Sequence, residues 1–361
     1  MKARPVKTTL RNLPEPKAKK LALLLGAVLL VLVILIALFP LLDRTEEPYT
    51  VTTYAMGSYV QQSVYGKNSE TAAVTAADAV QALENKISWR VSGSDIQKLN
   101  SAAGKDWTEL SADTMEILEI AQDVAEKSGG AFDVTIAPIS RLWDFDSERN
   151  TVPDSDQIAS FLPYVGYEFL RLDTETGAAS LKNLNNAVDL GAIGKGAACD
   201  VAVEAYAETG ADAAIVSVGG SVGVYGRKES GADWNIAVRD PNTDGTLGTL
   251  TIVSGFVSTS GSYEKSFTLD GTLYHHLLDP ATGYPADSGL ISVTVLSDSG
   301  ARSDALATAC FVLGLDEGQA LLETYGAEGI FIDETGVITI TDGLQDRFML
   351  TASGYTLAAQ A

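Results

Sequence analysis

Histidine is nearly absent from this chain, with two in 361 residues. Cysteine is as scarce: Cys199 and Cys310 stand far apart, with no C-x-x-C spacing. That shortage excludes a disulfide scaffold, and both cysteines sit in apolar helical contexts that read as small buried hydrophobes. Positive charge is the third deficit, with 25 Lys and Arg against 47 Asp and Glu. Seven of the basic residues fall in the first twenty positions, so the remainder carries 18 basic against 46 acidic groups, a formal −28. Such a surface repels nucleic acid and anionic lipid, so nucleic acid is excluded as a partner.

One long apolar run is present. Leu21–Leu42 carries no charge and follows the basic segment 1–20. At about 1.5 Å per residue it can cross a hydrocarbon core of roughly 30 Å. A cleaved secretory signal is the alternative, but its apolar region would be shorter, and Phe39-Pro40-Leu41-Leu42-Asp43 has no Ala-x-Ala pattern. No cysteine follows the run, so a lipoprotein anchor is not indicated. The expected layout is a cytoplasmic basic segment 1–20, a single-pass anchor 21–42, a linker 43–50 and a domain 51–361. The basic flank keeps the N-terminus inside, which places the domain on the extracytoplasmic side of the cell membrane.

Beyond the linker, periodicity and turn residues predict a mixed α+β fold. A strand pair over 49–65 breaks at Met56-Gly57-Ser58. Helical spacing runs from Glu70 to Ile87, again behind Ser111 as N-cap until Gly129-Gly130, and from Gly194 to Gly210. AIVSV, WNIAV, TIVSGFVS and ISVTVL read as strands, and helices follow over 301–313 and 316–325. A hairpin through Glu334-Thr335-Gly336 closes the chain.

Four segments are too polar and glycine-rich for plain core. Gly129–Pro138 (GGAFDVTIAP) places Asp133 just past a helix end, where an ordinary turn acid is equally in keeping. Val188–Asp200 (VDLGAIGKGAACD) sets Lys195 at a helix start among Gly191, Gly194 and Gly196. Backbone amides there can hold phosphate; a tight strand-to-helix turn is the plainer alternative. Tyr274–Pro285 (YHHLLDPATGYP) holds both histidines beside Asp279-Pro280 and Gly283-Tyr284-Pro285 turns. Imidazole suits proton transfer, and adjacent histidines on a strand diverge too far to share one ion. Ser303–Phe311 (SDALATACF) puts Asp304 and Thr308 on one helical face. A carboxylate and a hydroxyl without a nitrogen or sulfur partner select Mg²⁺ or Ca²⁺.

Together and in this order the segments resemble the FAD:protein FMN transferases, the ApbE-type flavin transferases. The resemblance starts at Met56-Gly57-Ser58 and takes in Ser94-Asp95-Ile96 with Leu99-Asn100. It continues through Gly130–Thr135, Asp189–Gly196, Val218-Gly219-Gly220 and Thr259–Tyr263, and ends with His275–Pro285 and Asp304–Thr308. It implies a two-lobed, T-fold-like mixed α/β domain that uses FAD as substrate and needs Mg²⁺. It further implies transfer of FMN to a threonine hydroxyl of an acceptor protein, with release of AMP. Carried over by position, His276 becomes the base. Met56, Arg90, Ala131, Phe132, Asp133, Asp189, Lys195 and Leu277 become the FAD-holding set, with Met56 and Phe132 against a flat ring. Asp304, Thr308, Ala192 and Ala307 become the Mg²⁺ ligands, the alanines through their carbonyls. Three positions depart from the family pattern: Ser58 for threonine, Arg90 for a stacking tyrosine, and Ser221 for an acid or amide. An anchored enzyme of this kind would serve membrane or extracellular electron-transfer proteins. An FAD pyrophosphatase giving FMN and AMP, or a flavin-binding module without turnover, are the competing readings of the same residues.

Overall fold

The computed structural model describes residues 47–147 and 149–359. The expected basic segment and anchor lie outside the described residues. Among the described residues no helix is long and apolar enough to cross a membrane. The first strand, β1 (Tyr49–Ala55), begins two residues before the expected domain edge. It turns into β2 (Ser58–Tyr65) through Met56 and Gly57, both at positive φ (57° and 67°), the conformation of a two-residue hairpin turn.

These two strands start a nine-stranded sheet whose order follows the chain. The others are β3 (Ala213–Val218), β4 (Ser221–Gly226), β5 (Gly255–Gly261), β6 (Leu290–Ser297), β7 (Glu328–Asp333), β8 (Val337–Ile340) and β9 (Thr356–Leu357). All neighbours are antiparallel except β8 and β9. Successive strand residues point to opposite faces, and the sequence uses both. Val216, Val293, Val295 and Phe331 pack into one core, while Ile330, Ile332, Val257 and Val224 pack into another. Two cores therefore lie on either side of one sheet.

The helices are α1 (Ser69–Ile87), α2 (Asp95–Ser101), α3 (Ala112–Lys127), α4 (Ala137–Trp143), α5 (Ser155–Phe161), α6 (Gly194–Thr209), α7 (Gly300–Leu313) and α8 (Leu315–Tyr325), and all but α4 and α5 pack into the larger core. Ala72, Ala73, Ala76, Val80, Leu83 and Ile87 form the buried stripe of α1, which packs on α6. The small side chains allow close approach. Ser111 does precede α3, but its hydroxyl meets that of Thr114, and its amide donates to Asp95. Cys199 and Cys310 are buried and unbonded to one another.

The expected strand TIVSGFVS is in fact two strands in two sheets. Thr246–Ile252 pairs with Trp234–Arg239 and with Phe348–Leu350, covering the smaller core, and β5 starts afresh at Gly255. Gly255 has φ 113°, a bend closed to other residues, and a Cβ there would press on the Ser297 carbonyl. A third apolar cluster, Trp143, Phe267, Ile139, Ile158 and Leu278, sits under the histidine loop.

The tightest contact in the fold is between α6 and α7. A Cβ on Gly196 would overlap the Gly300 carbonyl oxygen, and one on Gly300 would overlap that of Gly196. Both obstacles are backbone, which cannot rotate aside. Gly196→Ala is expected to lower stability by about 3 kcal/mol, the upper range for overpacking. The check is a urea unfolding midpoint at unchanged m-value.

Candidate active site

At the α6–α7 crossing each helix offers a carboxylate to the other's first turn. Asp304, on α7, accepts from the amide of Gly196 at 3.0 Å. Asp200, on α6, accepts from the amides of Gly300 and Ala301, each at 2.7 Å. Gly196 is the third residue of α6, so its amide is one of those a helix start leaves without an intrahelical partner, and Asp304 satisfies it. The Ala192 carbonyl, which precedes the helix, accepts no hydrogen bond among the described residues. Asp304 is 3% exposed, and its Oδ1 makes no hydrogen bond among the described residues. One turn on, Thr308 Oγ1 lies 3.2 Å from Ser260 Oγ. Ala307 is buried within α7, where its carbonyl has only a second lone pair to offer. The donor set is therefore all oxygen, with one carboxylate. Among the described residues no three His, Cys, Asp or Glu side chains gather as they would around a transition metal. The chemistry fits a hard divalent cation that takes its other ligands from water and phosphate.

The two histidines part as expected. His275 ends the hairpin Ser266–Leu269/Thr272–His275, is 6% exposed and meets Phe311 edge-on at 5.5 Å. His276 turns the other way. Its Nδ1 is 3.0 Å from the Glu264 carbonyl oxygen. A carbonyl only accepts, so Nδ1 carries the proton of the neutral ring and Nε2 keeps its lone pair. Burial, then the nearby Lys195 and Lys265, push the His276 pKa down to about 3. The ring is therefore a neutral proton acceptor throughout the physiological range. Its loop is rigid: Asp279 accepts from the Gly283 amide, and Trp143 Nε1 donates to the Gly283 carbonyl at 2.8 Å. Leu277 is buried, with its carbonyl bonded to the Ala286 amide.

Lys195 lies in the first turn of α6, near Gly219 and Ser58; a Cβ on Gly219 would touch both side chains. No ion pair holds its ammonium among the described residues. Met56 reaches the same helix start, with its methyl beside Gly194. Asp189 Oδ1 accepts from Gly191 N at 3.0 Å, which shapes the loop into α6. Ala131 is half-buried at the bend after α3.

Two residues depart from their expected roles. Phe132 is 2% exposed and packs in the main core, so its ring offers no face to a ligand. Arg90 is committed to Asp146 in an ion pair and lies 4.3 Å over the Trp89 ring. The aromatic surface at this point belongs to Trp89, which Arg141 also covers at 4.5 Å. Trp89 and Arg141, with Asn100, Gln97 and Ser101, line an open cleft of about 320 Å³. Asp133 is buried, and its Oδ1 accepts from both the amide and hydroxyl of Thr135 at 2.7 Å. Burial lifts its carboxyl to about 6 against the pull of those bonds. Ser221 sits inside the protein, bonded to Ser258, which also meets Ser303.

Sequence reasoning missed the roles of Asn100 and Asp200. Asn100 bonds both the carbonyl and amide of Val188, tying α2 to the loop before α6. Each stands inside a motif quoted from the sequence, but neither partner is near it in the chain.

The model of the ApbE family matches residues 56–331. The chain belongs to that family. It is 32% identical to the FAD:protein FMN transferase of Treponema pallidum, over 86% of this chain and 91% of that one. It is 29% identical to the FAD:protein FMN transferase of Klebsiella pneumoniae, over 85% and 96%. Among solved structures, an ApbE protein from Thermotoga maritima superposes with a TM-score of 0.76 at 31% identity, covering 82% of this chain and 98% of that one. The flavin transferase ApbE of Vibrio cholerae gives 0.72 at 25%, covering 86% and 98%.

The depressed His276 pKa has a stability cost. The unfolded ring, with an ordinary pKa near 6.5, takes up a proton as pH falls, and the folded ring does not until about 3. Stability present above pH 6.5 is thus lost towards pH 3. Between pH 7.5 and 5 the wild type should lose up to about 2 kcal/mol more than His276→Gln. Urea unfolding at the two pH values is the measurement.

Proposed function

We propose that this chain transfers FMN from FAD to a threonine hydroxyl of an acceptor protein, with a divalent ion, best Mg²⁺, at the Asp304 site. The observation that carries the reading is the junction of three groups around the start of α6. Lys195 brings an unpaired cation, Asp304 an unbonded carboxylate oxygen, and His276 a ring nitrogen without a proton. A diphosphate meets the first two at a helix N-terminus, where the dipole also favours anions. The threonine hydroxyl meets the third.

In the reaction one P–O bond of the FAD diphosphate breaks and one forms between the FMN phosphorus and the threonine oxygen. AMP departs with the bridging oxygen, and the hydroxyl proton passes to His276 Nε2. Asp304, Thr308 and the Ala192 carbonyl would hold the ion, with Ala307 as a further carbonyl. The ion supplies charge neutralisation at the diphosphate. The hydrogen bond from Nδ1 to Glu264 keeps the ring in the tautomer the proton transfer requires. The cleft lined by Trp89 and by Arg141, whose guanidinium lies over that ring, would receive the flat part of FAD, and Lys195 and the α6 amides would receive phosphate. The N-terminal basic and apolar segments support a placement on the outer face of the cell membrane. There the acceptor would be a redox protein of the membrane or the extracellular side.

Two variants test the division of labour. The full chain is mixed with FAD, Mg²⁺ and a threonine-bearing acceptor, and the acceptor's intact mass is followed. Wild type should add one FMN, and EDTA should stop it. Asp304→Ala should lose at least a hundredfold in rate, and full activity without added Mg²⁺ would refute the metal site. His276→Ala should bind FAD normally yet transfer a hundredfold or more slowly, within the range for general bases. Release of FMN and AMP with no gain in acceptor mass would mark the pyrophosphatase instead.

A further inference from the structure

We propose that Asp200 is a positioning residue for the reaction, acting through the first turn of α7 on Asp304. The inference rests on the metal-site reading above and adds a residue to it. Asp200 stands six residues into α6, on the helix that starts the phosphate-facing loop. Its two oxygens are both used: Oδ1 accepts from Gly300 N and Oδ2 from Ala301 N, each at 2.7 Å, with the Ser299 hydroxyl 3.4 Å from Oδ2. These are the first two amides of α7, which the helix itself leaves unbonded. Ser299 is the N-cap, accepting from Arg302 N.

The bond pattern is reciprocal. Asp304, one turn into α7, returns to the Gly196 amide of α6. The two carboxylates therefore make one closed link: α6 holds the start of α7 through Asp200, and α7 holds the start of α6 through Asp304. Gly196 and Gly300 lie between them in backbone contact. Asp304 can spend one oxygen on Gly196 and keep the other free only while the α7 start stays where Asp200 holds it. If the start of α7 shifts, the Asp304 carboxylate is drawn off the Gly196 amide and the orientation of its free oxygen is lost. Partners that orient ligands in this way usually set metal affinity by a factor of ten to a hundred.

Ser303, the neighbour of Asp304, is bonded to the Gly300 carbonyl and to Ser258, which ties α7 to β5. The bonds from Asp200 go to the first two amides of α7, one turn from Asp304.

The test uses the full chain and reads Mg²⁺ rather than rate alone. FAD binding is followed by fluorescence as Mg²⁺ is titrated, without acceptor, and transfer is measured separately with it. In Asp200→Asn the amide group must face one of the two α7 amides, donor against donor. The Mg²⁺ midpoint should rise about tenfold or more. FAD affinity without Mg²⁺ should stay the same, and kcat should recover to within about threefold at saturating Mg²⁺. Ser299→Ala, which alters no charge, should move the midpoint the same way by a smaller factor, and it decides the matter if the Asn variant does not fold. A midpoint unchanged in the folded variants, whatever their melting temperature, would reduce Asp200 to a helix cap and overturn the inference. A wild type whose FAD binding and transfer ignore Mg²⁺ would instead overturn the metal site itself, and the inference with it.

Discussion

Everything at the site depends on two helices starting in backbone contact. The Gly196–Gly300 crossing has no room for a side chain on either partner. Helices normally keep 8–10 Å between their axes because side chains interdigitate. Here glycine removes the spacer, and the amide ends of α6 and α7 come together. Those ends carry partial positive charge, so bringing them together would be unfavourable alone. Asp200 and Asp304 supply the compensating negative charge, each across the crossing rather than on its own first turn. The bond by which Asp304 offsets the dipole of α6 uses one carboxylate oxygen and leaves the other without a hydrogen bond among the described residues. Structural necessity and ligand chemistry therefore meet in one side chain.

The proton acceptor is held by separate means. His276 directly follows a two-stranded hairpin, an element too small to be stable on its own. Its Phe267 and Tyr274 stack at 5.4 Å, and Phe145 and Trp143 pack against them. At the rim, Asp146 joins Lys265, just before the hairpin, to Arg90 of the α1–α2 loop. Burial first, and then the like charge of Lys195 and Lys265, keep the imidazole neutral. The same field attracts a polyanion. A substrate diphosphate arriving beside Lys195 would relieve part of that repulsion and raise the basicity of Nε2 when a hydroxyl is ready to lose its proton.

What could be read from the sequence divides by the range of the interaction. The turn at Met56-Gly57 was legible from its glycine, while the positive φ of Met56, uncommon for a residue with a Cβ, was not. The α1 and α3 stripes, the Gly210 stop and the divergence of His275 from His276 are likewise consequences of local geometry. TIVSGFVS misled because period-two alternation continues through Gly255 although the chain changes sheets there. Phe132 misled for a related reason: its motif says that the segment is near the site, not which face its ring takes. Asp200 was invisible because its partners lie a hundred positions away, and a carboxylate inside a helix gives no sign of capping another.

The departures from the family pattern show how a site tolerates change. Ser221 is enclosed in a chain of hydroxyls, with Ser258 bonded to it and to Ser303 on α7. A hydroxyl is both donor and acceptor, so a short serine can be satisfied where a carboxylate would bury an uncompensated charge. Trp89, the residue before Arg90, places a larger ring at this point. Arg90 and Arg141 lie over that ring as cations, favourable contacts that also fix its plane. In both places the altered residue is bonded within the protein, Ser221 to Ser258 and Arg90 to Asp146. Lys195, His276, Asp304 and Thr308 keep the family pattern, and on the reading proposed above they are the side chains whose charge, proton or oxygen the reaction would use.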